Sequence, residues 1–358
     1  MIQSLHIENF RCFEKVDLQD LRLINVIVGS NSGGKTSLLE SVFLSGGTPE
    51  LVFRFDTWRG LNFPINVQTK AEFESCWKDI FYKFDQSKQI KVSAEGHPEC
   101  HRNLKIYYNY TEQIPLFPEG KPSGSMETDS TALIPLVFES ADSKGKPYYQ
   151  QPVIGPTGGI VLRGLGAPIA PMAFYSSAHI PPAPEAAQRY SQLRQRNDKA
   201  GERVNDTLSR IFPSISNLSI EVDSGGLPAV YCDALGMDKK IPVGLVSSGI
   251  HKTLAILLGI ASYPNGAILI DEIENGIHYK SLPKVWEALI AFCEEYKTQL
   301  FVSTHSKECL EQLIPHLNKN PDNFRLLRAE TTQDGDHVVK NFSGDEFQAA
   351  LETGVDPR

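Results

Sequence analysis

Gly29-Ser30-Asn31-Ser32-Gly33-Gly34-Lys35-Thr36 sets glycines, a lysine and a hydroxyl where they can grip a chain of phosphates. The stretch fits G-x-x-x-x-G-K-[ST] without a mismatch and runs on into Ser37. Its glycines let backbone N–H groups turn inward around phosphate oxygens. Lys35 can reach β- and γ-phosphates, and the Thr36 hydroxyl can hold Mg²⁺. So short a pattern also occurs as a plain Gly-rich turn, so the flanking elements decide. Before it lies the apolar run Leu23–Val28, and after it an amphipathic stretch from Thr36 to Leu44. That is the strand–loop–helix setting in which a helix start adds its positive end to an anion site.

Far downstream, Ala267-Ile268-Leu269-Ile270 reads as a buried parallel strand and ends in Asp271 and Glu272. Carboxylates at the carboxyl end of such a strand face the ligand crevice of an open α/β sheet. Asp271 is placed to hold Mg²⁺, and Glu272 to orient or deprotonate the attacking water. Phosphoryl transfer to water needs those jobs done by different groups. A second apolar strand, Gln299–Val302, runs into Ser303-Thr304-His305-Ser306. If the two strands are neighbours, His305 lies beside the acids and its imidazole can hydrogen-bond a γ-phosphate or the water. Between loop and acids stands Ser247-Ser248-Gly249, ahead of the helical run Thr253–Ile260. Ser247 or Ser248 can cap that helix. Since Lys35 already serves one triphosphate, a second capped helix start would be most useful against the nucleotide of another copy. By itself the segment reads first as an ordinary N-cap.

In this order the segments resemble the ABC-type ATPase heads of the SMC, Rad50, RecF and OLD group. The loop resembles Walker A, Ser247-Ser248-Gly249 the signature, Asp271-Glu272 Walker B with its catalytic glutamate, and His305 the switch histidine. Glu274-Asn275-Gly276-Ile277-His278 falls at the D-loop, and the opening Ile7–Phe13 resembles the family's first strand and turn. Asp271–Gly276 and Ser303–Ser306 are most similar to OLD-like ATPases, many of which belong to bacterial anti-phage systems. The resemblance covers residues 1–60 and about 170–358. Three departures stand out: the signature reads Val-Ser-Ser-Gly, His278 replaces the D-loop aspartate of transporters, and the Q-loop is assigned only to the region Met172–Ser177. The resemblance implies ATP and Mg²⁺ as ligands. It implies nucleotide contacts at Arg11, Gly29, Asn31, Ser32, Gly33, Gly34, Lys35, Thr36 and Ser37, and metal contacts at Thr36 and Asp271. It further implies catalysis by Glu272 and His305, and a homodimer that sandwiches ATP with Ser248 and Gly249 reaching the partner's nucleotide.

The implied fold is α/β: an ABC-ATPase head with a mixed, mainly parallel sheet, a β-rich insertion and a helical subdomain, without a long coiled coil. Its expected divisions are 1–45 (first lobe with the loop), 46–184 (β-rich insertion), 185–245 (helical arm and short strands) and 246–358 (second lobe). Within the arm, Glu185 to Ile211 reads as one long helix. Phe324–Arg328 and His337–Lys340 read as a hairpin, and a closing helix is expected from Gly344.

The 358 residues are 41% hydrophobic and 22% charged, ordinary for a globular protein. No run of eighteen apolar residues and no basic, apolar leader occurs, so no membrane span or secretion signal is expected, and a cytoplasmic protein is. The six cysteines include no Cys-x-x-Cys, and reduced thiols are the default. His97-Pro98-Glu99-Cys100-His101 lacks a second half with zinc spacing, which disfavours a metal there. A net charge of −8 does not carry the basic footprint of wholesale nucleic-acid binding. The local basic segment Arg189–Arg203 reads first as a solvated helix face.

Three functions compete. An ATP-hydrolysing switch in anti-phage defence leads, working with a separate nuclease or toxin, because only about 50 residues follow His305 and a nuclease domain of usual size needs more. A RecF-like repair clamp on DNA is the second, and an ATP-gated scaffold with little turnover is the third.

Overall fold

The computed structural model describes residues 1–46, 52, 55, 59, 67, 69–96, 102–115, 132–142, 144–156, 158–177, 182–196, 198–222 and 225–358. The suspected metal segment 97–101 lies outside the described residues.

Two large sheets form the scaffold. The first has six strands in the order Met172–Tyr175, Ala267–Ile270, Gln299–Ser303, Ile24–Val28, Phe324–Thr331 and His337–Ser343. The first five run parallel, and His337–Ser343 closes the edge as the antiparallel arm of a hairpin. Its strands are near-continuous apolar runs because both faces are covered. Alternation splits each run between two cores. Val26, Ile268, Ile270, Leu300 and Val302 enter one, while Ile27, Leu269, Phe301 and Leu327 enter the other. On the first side pack the helices Ala183–Arg194, Ala200–Ile211, Ser248–Ser262 and Leu282–Tyr296. On the other side lie the helix Lys35–Ser45 and the second sheet.

That second sheet is antiparallel, with seven strands in the order Ile160–Leu165, Pro147–Ile154, Leu136–Ala141, Arg102–Tyr108, Ile90–Gly96, Ile2–Phe10 and Phe13–Leu18. The β-rich middle of the chain is thus built onto the two N-terminal strands. Buried Gln299 ties the two sheets together. Its amide accepts from the Ile2 backbone N–H (2.8 Å) and donates to the Ile2 and Arg22 carbonyls (both 2.8 Å).

Two expectations change here. The helix after the loop is buried on every side between the two sheets, with Ser37 to Ser45 all inside. A helix buried all round needs no polar face, and its Ser41 and Ser45 hydroxyls return to the carbonyls of Leu38 (2.7 Å) and Val42 (2.6 Å). The long helix from 185 is instead two, Ala183–Arg194 and Ala200–Ile211. Lys199 sits at φ 59°, in the left-handed region that ends a helical run, and the Asp198 carboxylate accepts from the Ala200 N–H (3.1 Å) to start the next. Part of the basic segment is engaged within and beside this hairpin. Arg189 pairs with Glu185 (2.9 Å), Arg196 with Asp198 and the Ala261 carbonyl (2.7 Å), and Arg203 with Glu295. The hairpin Phe324–Thr331/His337–Ser343 and the helix Gly344–Glu352 form where the sequence placed them. No described helix exceeds 15 residues, and none is long and apolar enough to cross a membrane.

Candidate nucleotide site

Strand order alone brings the scattered segments to one rim. Gln299–Ser303 lies between Ile24–Val28 and Ala267–Ile270, with Ser303 level with Ile27 and Val302 level with Ile270. The loop, the acid pair and the histidine therefore leave three adjacent parallel strands at their carboxyl ends.

The loop is shaped by left-handed backbone at Ser32 (φ 65°) and Gly34 (φ 102°). A Cβ on Gly34 would stand 2.8 Å from the Phe13 ring, so this position needs glycine for space as well as for angle. A cavity of about 550 Å³ opens on the loop, lined by Asn31, Ser32, Gly33, Gly34, Lys35, Thr36 and Ser37 together with Cys12, Arg59, Glu272 and His337. Lys35 is 9% exposed, and its ammonium donates to the carbonyls of Gly29 (2.9 Å) and Ser30 (3.0 Å). Burial pushes its pKa down, while Asp271, Glu272 and Glu274 pull it back up.

Thr36 Oγ1 donates to Asp271 Oδ2 at 3.0 Å. Asp271 is 4% exposed and also accepts from Ser303 Oγ (2.5 Å) and, at 3.5 Å, from Ser177 Oγ. Ser177 closes the Met172–Ser177 region, which supplies the strand beside Ala267–Ile270. A hydroxyl and a carboxylate side by side make an all-oxygen donor pair suited to a hard divalent cation.

Glu272 adopts φ 49°, rare for a residue with a side chain. Its N–H donates to Ser303 Oγ (2.8 Å), its carbonyl accepts from the Lys252 ammonium (2.7 Å), and its carboxylate accepts from Asn275 Nδ2 (2.5 Å). These bonds aim Glu272 into the cavity. His305 stands behind it, with Nδ1 3.7 Å from Glu272 Oε1 and 3.2 Å from Glu274 Oε1, and is not among the lining residues.

Two groups of predicted contacts lie elsewhere. Arg11 turns away from the cavity, its guanidinium 2.9 Å from buried Glu40 and 2.8 Å from Asp79. Burying Glu40 completely demands cationic partners, and Arg11 is one. Arg59 is the other, bonding Glu40 through Nε (2.7 Å) and Nη2 (2.8 Å) while reaching Ser37 Oγ (3.3 Å) on the rim. Arg59 is thus the arginine at the cavity. No local pattern marks it, since its partner lies in another element. Ser248 and Gly249 are outside this chain's own cavity, at the start of the helix that Ser247 caps through the Gly249 N–H (3.2 Å). There they press on the 272–277 turn, where a Cβ on Gly249 would stand 2.1 Å from the Gly276 carbonyl oxygen.

The chain is similar to known proteins. Residues 1–151 match the family model described as "AAA ATPase domain", and residues 167–311 one described as "AAA domain, putative AbiEii toxin, Type IV TA system". A Helicobacter pylori ATP/GTP phosphatase is 21% identical over 87% of both chains. The OLD nuclease of Thermus scotoductus is 23% identical over 98% of this chain and 66% of its own length. Matched over most of its length by these two ATPase models, the chain is an ATPase similar to the OLD and RecF proteins. Its fold is shared by an Smc head bound to the C-winged helix domain of ScpA (TM-score 0.50, 14% identical, 96% of this chain and 98% of that one). RecF of Agathobacter rectalis matches more locally, 44% identical over 48 residues, 13% of each chain. This ATPase head binds and hydrolyses nucleotide.

Proposed function

We propose that this ATPase is a nucleotide-driven switch in which Lys35 and the loop N–H groups hold the triphosphate, Glu272 activates water and His305 hydrogen-bonds the reacting phosphate or water. The observation that carries this reading is the Thr36–Asp271 contact at 3.0 Å, with Glu272 on the wall of the same cavity. Residues 235 positions apart meet there. Thr36 and Asp271 are the residues that would hold Mg²⁺, which when bound neutralises charge on the β- and γ-phosphates. Lys35 exchanges the Gly29 and Ser30 carbonyls for phosphate oxygens, and burial is what lowers its pKa.

Two heads pair in this reading, each offering Ser248 and Gly249 to the nucleotide of the other. Exposed Ser248 at a capped helix start supports it. Closing follows binding to the extent that ATP favours the closed pair, and hydrolysis reopens it. Glu272→Gln tests this. It should abolish turnover, retain ATP and shift the protein to dimer in size exclusion only when ATP is present. Normal turnover in that variant would remove Glu272 from its role.

The biological output we propose is anti-phage defence, with a separate nuclease or toxin as effector. It draws on the similarity to OLD nuclease, which spans 98% of this chain and 66% of that protein, and on the family model whose description names a toxin of a Type IV TA system. The RecF similarity favours a second reading, an ATP-gated DNA clamp. Binding to duplex DNA with a steep salt slope would favour the clamp. Phage protection by the ATPase expressed with a neighbouring gene, lost in Glu272→Gln, would favour defence.

A further inference from the structure

The acid pair at the strand end is followed by a third carboxylate, Glu274, which is nearly buried (side chain 12% exposed). Its Oε1 accepts from the backbone N–H of His305 (2.9 Å) and lies 3.2 Å from the Nδ1 of the same residue. Its Oε2 is buried and has no hydrogen-bond partner among the described residues. The one carboxylate oxygen that makes bonds is thus spent on His305. The imidazole itself is half exposed, and its nearest other acceptor is Glu272 Oε1 at 3.7 Å.

We propose that Glu274 is a positioning residue for ATP hydrolysis, holding His305 by Nδ1 so that Nε2 is presented to the reacting groups and the Glu272 carboxylate stays available for water. An ionised carboxylate only accepts, so the imidazole nitrogen beside it carries the proton. That fixes the Nδ1–H tautomer and the ring direction together. Without Glu274 the ring is left with Glu272 as its acceptor, and the histidine then covers the group that must activate water. The backbone bond from His305 N–H to the same oxygen holds the two residues in register. Glu274 also favours the charged form of the Lys252 ammonium.

The inference rests on the role given to His305 above, and one set of variants separates the two. In Glu274→Gln the amide oxygen still accepts the backbone bond, but the carboxylate is gone. That variant should lose about ten- to a hundredfold in kcat, the range seen when the partner that orients a metal-ligating histidine is removed, with KM for ATP within about twofold of normal. In a His305→Ala background the same change should cost nothing further, because the two act as one unit. Side-chain ¹⁵N shifts of labelled histidine, with the His305 signal assigned by its loss in His305→Ala, should report Nδ1–H in the parent and a mixed population in Glu274→Gln. Full additivity of the two kcat losses, or unchanged ¹⁵N shifts, overturns the proposal. Parental kcat in Glu274→Gln alongside a crippled His305→Ala overturns it while leaving the role of His305 intact. Parental kcat in His305→Ala removes that role and this inference together.

Discussion

Glu272 shows how much of a reactive side chain's position is settled by its backbone. A left-handed glutamate costs on the order of 1–3 kcal/mol and persists only where its surroundings insist on it. Ser303 and Lys252 do so from opposite ends of the peptide unit. Because Ser303 also donates to Asp271, Ser303→Ala should depress kcat and lower stability by about 1–3 kcal/mol, readable from steady-state assays and urea midpoints. Lys252 has a pH signature. Burial pushes its pKa down to about 8, against the pull of Glu274, Asp271 and Glu272. A lysine that titrates lower folded than unfolded costs stability while it is charged. Above about pH 8 the folded chain sheds this proton before the unfolded chain does, so stability is gained as pH rises toward the ordinary lysine value. The stability gap between wild type and Lys252→Met should therefore move in favour of wild type from about pH 7 to about pH 10. A gap that stays flat in urea titrations would contradict the depressed pKa.

Among the elements, the helix Ser248–Ser262 is the link between the two ends of the proposed cycle. In the pairing proposed above its first turn faces a second copy, yet Gly249 rests on the Gly276 carbonyl and Lys252 grips the Glu272 and Asn275 carbonyls of its own chain. Whatever meets Ser248 can move the 272–277 turn, and through it Glu272. Gly249→Ala puts a methyl group into a backbone oxygen at 2.1 Å. It should cost about 1–3 kcal/mol by overpacking and reduce kcat more than it weakens ATP binding, measured by equilibrium titration. Unchanged turnover in a stably folded Gly249→Ala would uncouple the helix from the acids. The hairpin of helices at 183–211 carries a lesson about reading sequence. Its polar, charged run gives no break signal as strong as proline, and the turn is fixed by Lys199 and by pairs such as Arg203–Glu295 that reach another helix.

At the scale of the whole molecule, the two-headed reading makes a prediction that no single chain can satisfy. A chain disabled at Lys35→Ala and a chain disabled at Ser248→Arg should each be inactive alone. Mixed, they should regain ATPase activity, because one composite site then pairs an intact loop with an intact signature. No recovery on mixing, with both variants folded and dimeric, would argue that each head hydrolyses nucleotide unaided.

Local chemistry was enough to determine much of this protein from its sequence. The phosphate loop, the apolar strands ending in Asp271-Glu272 and Ser303-Thr304-His305, the terminal hairpin and a serine cap at 247 or 248 all depend on neighbours a few residues apart, and such signals survive in one dimension. Tertiary structure alone decided which side chains meet. Strand order set His305 beside Glu272, and two sheets closing on the helix Lys35–Ser45 buried Glu40. That carboxylate then drew Arg11 out of the cavity and left Arg59 on its rim. On the opposite face of the first sheet, packing of the helix Ser248–Ser262 brought Lys252 under Glu272, and the strand order set Glu274 against His305. Burial of charge is a property of the folded interior, so the pairs it compels are written in no local pattern of residues.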